Sequence, residues 1–244
     1  MIACLRQLTT INVLFLLTIQ TSQATLIDRG SGLIYDDELN VTWLADARYA
    51  STQGQPNNGQ MSWQAAMDWA TGLTYFDATR NVTWDDWRLP GVDLNDQNCS
   101  DLGQFTDLFP VPSGTNCTGS ELGHLFYDEF DGVAGQHISF FHNDSVNLFD
   151  NFPDILESGS TRFWTSLDHE IIGPFGPEVD VAFFFDFANG DQASVVKNAL
   201  YNNAWAVRDG DVGFVAIPEP TTLLLLGLAL PLLLRQKEMA TMKD

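Results

Sequence analysis

The run Val179-Asp180-Val181-Ala182-Phe183-Phe184-Phe185-Asp186-Phe187 repeats with a period of two. Val179, Val181, Phe183, Phe185 and Phe187 fall on one side, and Asp180, Ala182, Phe184 and Asp186 on the other. Side chains alternate in this way across a strand, whereas a helix places apolar residues every three or four positions. The run therefore predicts a strand with one strongly apolar face. Asn189-Gly190 follows it and suits a hairpin turn, because both residues tolerate positive φ. Residues 192–197 are then the returning partner strand, and residues 203–208, with Ala204-Trp205-Ala206-Val207, form a last strand.

The N-terminal part shows the same β character. Thr25-Leu26-Ile27-Asp28 leads through Gly30-Ser31-Gly32 to Leu33-Ile34-Tyr35, and a second turn at residues 36–40 precedes Val41-Thr42-Trp43-Leu44. Two helices are expected between the β regions. Ser62 is a good N-cap, and Trp63, Ala66, Met67, Ala70 and Leu73 then recur on one helical face. After Ser120, Leu122, Leu125, Phe126 and Phe130 line a second apolar face, with Glu121 at the positive end of the helix dipole. His124 lies off that face, which predicts a solvated side chain. Strands at both ends with helices between them define an α+β class. Pairing the first and last strands is expected to close the domain and bring its two ends together. No internal repeat is present, and the aromatic residues read as core.

The chain has 244 residues and a formal net charge of −21. Residues 25–217 carry 29 acidic residues against seven basic ones, a net charge of −22. Such a surface repels nucleic acid and anionic headgroups, which sets DNA binding aside, and it favours cations. Cys99 and Cys117 form an even pair once Cys4 leaves with the N-terminal segment, and a disulfide is their default state in an oxidising compartment. Closing that loop contributes roughly 3 kcal/mol in the chain-entropy view. His124, His137, His142 and His169 lack cysteine partners at zinc-ligand spacings. Three acidic clusters offer oxygens of the kind Ca²⁺ takes: Asp93, Asn95, Asp96 and Asp101 around Cys99; Asp186, Asn189 and Asp191; and Asp209 with Asp211. None has EF-hand spacing, and turn formation by Asx residues is the competing reading. No nucleophile elbow or phosphate-binding loop is found, so no catalytic residue is assigned.

The two ends carry separate signals. Arg6 precedes the apolar run of residues 11–19, and Ser22 and Ala24 supply small residues at a cleavage site. Residues 1–24 thus read as a signal peptide for signal peptidase. Residues 25–213 are the ectodomain, and residues 214–244 a tail. In the tail, Pro218-Glu219-Pro220 precedes an apolar helix at residues 221–234, with Leu at nine of the twelve positions 223–234. Arg235 and Lys237 open a basic cytoplasmic end at residues 235–244. Fourteen residues of helix span roughly 21 Å, short of a hydrocarbon core about 30 Å thick. Such a helix is a transient transmembrane anchor.

This order of tripeptide, leucine-rich helix and basic stop resembles the PEP-CTERM sorting tail of exopolysaccharide-producing bacteria. The resemblance implies cleavage near the tripeptide by a membrane-embedded exosortase, and release to the cell surface or extracellular matrix. The ectodomain resembles the Lcl-C family, the C-terminal domain of a collagen-like adhesin. The words are Leu33-Ile34-Tyr35-Asp36, Val41-Thr42-Trp43-Leu44, Met61-Ser62-Trp63-Gln64-Ala65-Ala66, Asp86-Trp87-Arg88-Leu89-Pro90, Glu121-Leu122, Phe163-Trp164-Thr165-Ser166 and Ala204-Trp205-Ala206-Val207-Arg208. Their succession is similar to the C-type-lectin-like fold, especially its formylglycine-generating branch. That implies a compact, loop-rich α+β domain with adjacent termini. The oxidase cysteine pair and the calcium-dependent sugar words have no counterparts, and Trp84-Asp85-Asp86 only echoes one of them.

These readings predict an exported, exosortase-sorted protein whose ectodomain binds carbohydrate or divalent cations without catalysis, with exopolysaccharide as a partner. The alternatives are an extracellular polysaccharide hydrolase and a structural matrix protein without a small ligand.

Overall fold

The computed structural model describes residues 25–102, 112–141, 143–152, 161–171 and 179–213. Within them the protein is α+β, with many strands and few helices. The first sheet contains β1 (Leu26–Gly30), β2 (Leu33–Asp36), β3 (Val41–Leu44) and β11 (Val207–Asp209), in that order and antiparallel. The second contains β4 (Gln60–Met61), β10 (Asn202–Asn203), β7 (Arg162–Ile171), β8 (Val179–Asp186) and β9 (Asp191–Val196), in that order. A separate hairpin is made of β5 (Tyr75–Asp77) and β6 (Val82–Trp84). The helices are short: α1 (Tyr49–Thr52), α2 (Trp63–Thr71) and α3 (Glu121–His124).

Turn chemistry sets the first sheet. Gly30 and Gly32 take φ of +75° and +71° around Ser31, a conformation that suits residues without a Cβ. Asn40 takes φ of +53° at the next turn. There Asp36 Oδ1 accepts the backbone N–H groups of Glu38 and Leu39 at 3.2 and 2.9 Å. Helix α2 forms as its pattern predicts: Ser62 Oγ accepts the Ala65 N–H, and Trp63, Ala66 and Ala70 are buried. The Trp63 indole N–H donates to the Thr165 carbonyl at 2.8 Å, seating α2 against β7.

The β8–β9 hairpin forms with Asn189-Gly190 in its turn and Gly190 at φ +73°. The expectation of a single apolar face is too modest. Phe185 and Phe187 enter one core with Phe163 and Trp205, while Ala182 and Phe184 enter a second with Trp164, Trp63 and Leu89. Strand β8 lies between β7 and β9 in a sheet covered on both faces, so both sets of side chains are buried.

The last strand is also more divided than its pattern suggests. β10 pairs with β7 and β4 in the second sheet, whereas β11 pairs with β3 in the first. The three residues between them carry the chain from one sheet to the other. Trp205 sits at that crossing, fully buried, with ring centroids 5.2 to 5.4 Å from Trp43, Phe149, Phe152 and Phe163. Its N–H donates to the Leu44 carbonyl at 2.8 Å. The first and last strands share a sheet but occupy opposite edges, since β11 joins β3 and not β1. Arg29 of β1 reaches Asp211 just past β11, with Nε 2.9 Å from Oδ1, and so ties the two ends.

Two predictions follow from this packing. Trp205→Ala removes the shared ring at the crossing and is expected to cost about 3–5 kcal/mol, read from urea unfolding. In the hairpin, Asp77 is buried and accepts the N–H groups of Thr79 and Arg80 and the Arg80 guanidinium at 2.7 Å. Burial alone pushes its carboxyl up, but the Arg80 bonds outweigh it and the net shift is downward. A lowered carboxyl stabilises the fold above its unfolded pKa and loses that contribution as pH falls through the folded value. Asp77→Asn is therefore expected to lower the urea midpoint at neutral pH and to flatten its decline below about pH 4.

Candidate functional site

Arg88 places the helix on which the site is built. Its two terminal nitrogens donate to the two carboxylate oxygens of Glu121 at 2.7 Å each. Glu121 Oε2 also accepts the Gly91 N–H at 2.7 Å, and the Glu121 N–H donates to the Gly91 carbonyl at 3.1 Å. The Arg88 backbone meanwhile exchanges two hydrogen bonds with Val207. The start of α3 is thus tied to β11 through one residue, Arg88. Arg88 also reaches Asp209 at 2.6 Å, but that carboxylate is exposed, and such rim pairs contribute little.

The other side of α3 leans on the disulfide loop. Cys99 and Cys117 are bonded, as the pairing of the two remaining cysteines predicts. Ser120 Oγ accepts the Gly123 N–H at 3.1 Å and caps the helix. A Cβ on residue 123 would lie 1.8 Å from the Cys117 carbonyl oxygen, so only glycine permits this approach. After His124 the helix widens into a π turn, Leu125–Glu129. Five residues of α-helix rotate a side chain well away from its starting face, whereas the wider π turn returns position i+5 close to it. Glu129 is thereby brought round to His124.

Asp36 completes the group from the end of β2. One of its oxygens holds the turn described above; the other, Oδ2, lies 3.8 Å from His124 Nε2. Glu129 Oε1 lies 3.7 Å from the same nitrogen. Asp36, His124 and Glu129 are 0%, 4% and 5% exposed, so all three ionisable groups are interior. At these separations no hydrogen bond forms among them. Asp36 Oδ2, His124 Nε2 and Glu129 Oε1 all lack a hydrogen-bond partner, as does the Trp43 indole nitrogen. On its outer side, His124 Nδ1 lies 3.2 Å from Asp128 Oδ2, a half-exposed carboxylate. Burial raises the Asp36 carboxyl above its ordinary range. Burial alone would lower His124, but Glu129, Asp36 and Asp128 more than offset it and the imidazole is raised.

The expectation of a solvated His124 is therefore corrected: the residue is turned inward by the π turn and by the contact of α3 with the disulfide loop. Sequence reasoning gave Asp36 only as the opening residue of a turn and part of a family word, and did not single out Glu129. Their only local signal is an acidic residue at a predicted turn and another inside a predicted helix.

The acidic clusters are built as turns, the reading their Asx residues favour. Asp93 accepts the Asn95 N–H at 2.8 Å, and Asp96 accepts those of Asn98 and Gly119 at 2.8 and 2.7 Å. Asp101 pairs through its backbone with Ser113. The carboxylates of Asp93, Asp96 and Asp101 are not brought together at ligand distance, and the sulfurs near Asp96 are tied up in the disulfide. Asp186 accepts from the Ala188 N–H and Arg162, Asn189 from the Asp191 N–H, and Asp211 from Arg29. Asp86 is gripped by Arg208 through two bonds of 2.7 Å, with the guanidinium 4.3 Å from the Trp84 ring centroid. The sorting residues Pro218, Glu219, Pro220, Arg235 and Lys237, the apolar run at 221–234 and the N-terminal segment 1–24 lie outside the described residues. Among the described residues, no helix is long and apolar enough to cross a membrane.

No protein-family model matches the chain, and neither a curated protein nor a solved structure is detectably similar to it.

Glu121→Gln keeps the side chain's shape but removes the charge facing Arg88. It is expected to lower stability by about 1–3 kcal/mol, measured by urea unfolding.

Proposed function

We propose that this chain is an exported bacterial surface or matrix protein whose ectodomain is a non-enzymatic binding module. The observation that carries the proposal is the order of the tail: Pro218-Glu219-Pro220, a leucine-rich stretch too short for a comfortable membrane span, then Arg235 and Lys237. A basic residue, an apolar run and small residues at the other end support export through a cleaved signal. The disulfide supports the same compartment.

The ectodomain is read as C-type-lectin-like. Support comes from the part its signature words play in the fold: Arg88 clamps Glu121, Asp86 is clamped by Arg208, and Trp63 seats α2 on β7. Its ligand is a neutral carbohydrate or divalent cations that bridge acidic exopolysaccharide, because a net charge of −22 repels polyanions such as sulfated glycans. Asp36 and Glu129 do not favour a polysaccharide hydrolase, since carboxylates this buried cannot touch a glycosidic oxygen.

Exosortase and signal peptidase are the processing partners. Mass spectrometry of the surface-exposed pool, from cells containing an exosortase, should find a mature chain ending near residue 220. Recovery of surface chains that still carry Arg235 would remove the sorting reading. For binding, a glycan array and a calcium titration on the mature protein should give at least one saturable response; silence in both would remove the binding module.

A further inference from the structure

We infer that Asp36, His124 and Glu129 form a buried site for a divalent transition ion of the zinc class. The three ligand atoms come from separate parts of the chain, the end of β2, α3 and the π turn, and all lie within 4.8 Å of one another. Two sides of the triangle measure 3.8 and 3.7 Å. With the third side no longer than 4.8 Å, the triangle's centre lies about 2–2.4 Å from each corner. Zinc bonds to imidazole nitrogen and carboxylate oxygen at about 2.0–2.2 Å, so the atoms need to move little to take an ion.

The second observation is independent of the clustering. Each of the three atoms is buried and has no hydrogen-bond partner in the fold. Interior polar atoms are almost always satisfied, and leaving one unsatisfied is costly. Three such atoms aimed at one point make the site incomplete without a shared partner. A divalent cation satisfies all three at once, and two carboxylates balance its charge in the interior, where uncompensated charge is costly.

The donor set selects the ion. Calcium and magnesium take oxygen ligands, Ca²⁺ six to eight of them, and an imidazole nitrogen is foreign to both. One nitrogen with two carboxylates suits zinc and its first-row neighbours. Asp128 supplies the outer anchor common to metal-bound histidines: a carboxylate on Nδ1 fixes the tautomer that leaves the Nε2 lone pair facing inward. The burial of the ligands makes the site's role structural, tying the first sheet to α3. It is separate from the surface binding proposed above and stands or falls without it.

The test uses the exported protein stripped with a chelator and reloaded. Elemental analysis after Zn²⁺ loading and desalting should find about one zinc per chain, and zinc should raise the thermal midpoint while equimolar Ca²⁺ does not. Asp36→Asn and Glu129→Gln should each weaken zinc affinity at least tenfold. Asp128→Asn, which keeps all three ligands, should weaken it by about 10–100-fold. If the ligand variants fail to fold, the wild-type stoichiometry and its zinc-dependent midpoint decide alone. A wild-type protein that retains no transition ion and shows no zinc-dependent midpoint overturns the inference. So does zinc binding that survives the Asp36→Asn/Glu129→Gln double substitution, or a calcium response at these residues in place of a zinc response.

Discussion

The guanidinium of Arg88 is the point through which distant parts of this molecule are fixed to one another. It holds both carboxylate oxygens of Glu121, and Glu121 in turn holds Gly91 and the first turn of α3. A planar fork meeting two carboxylate oxygens fixes orientation as well as distance, which a lysine at the same place could not do. The hydrogen bonds that Arg88 donates to Glu121 and Asp209 hold it more firmly protonated than a free arginine. Because Arg88 also pairs its backbone with Val207, the position of α3 is referred to the first sheet. His124 and Asp36 meet for that reason.

A second constraint lies in how two cores share one sheet. Along β7, Phe163 faces the core that contains Trp205, and Trp164 faces the one that contains Trp63. The same alternation holds on β8 with Phe185 and Phe184. Between β10 and β11 the chain changes core once: Ala204 belongs to the second core, and Trp205 and Ala206 to the first. A one-residue slip in any of these strands would exchange the two sets of side chains, so register and layer assignment are fixed together.

Much of this was legible from local pattern. Period-two alternation, Asn-Gly turn chemistry and the Ser62 cap are local effects, and β8, β9 and α2 follow from them directly. The Cys99–Cys117 bond was legible because, with Cys4 set apart in the N-terminal segment, two cysteines leave one pairing. The buried site was not, for a physical reason. Asp36 lies far from His124 and Glu129 in the chain, and its role depends on one oxygen serving a turn while the other faces inward. His124 and Glu129 are five apart, a spacing that an ordinary helix would splay, and the π turn that unites them has no composition of its own. The acidic loops were legible too, since turn formation by Asx residues was the reading their spacing favoured. Asp93, Asp96 and Asp186 resemble cation ligands by type, yet their oxygens are used by backbone amides and Arg162.

The double burial of β8 also has a bearing on how the chain folds. Val181-Ala182-Phe183-Phe184-Phe185 is an uncharged, aromatic-rich segment without proline, the composition from which cross-β stacks nucleate. In the native protein both of its hydrogen-bonding edges are occupied, by β7 and β9. Before the sheet has closed during folding, that protection has not yet formed. Asp180 and Asp186 stand at either end of the segment as charged brakes on self-stacking. The same phenylalanines that unite the finished architecture are, until β7 and β9 close over them, its greatest hazard during folding.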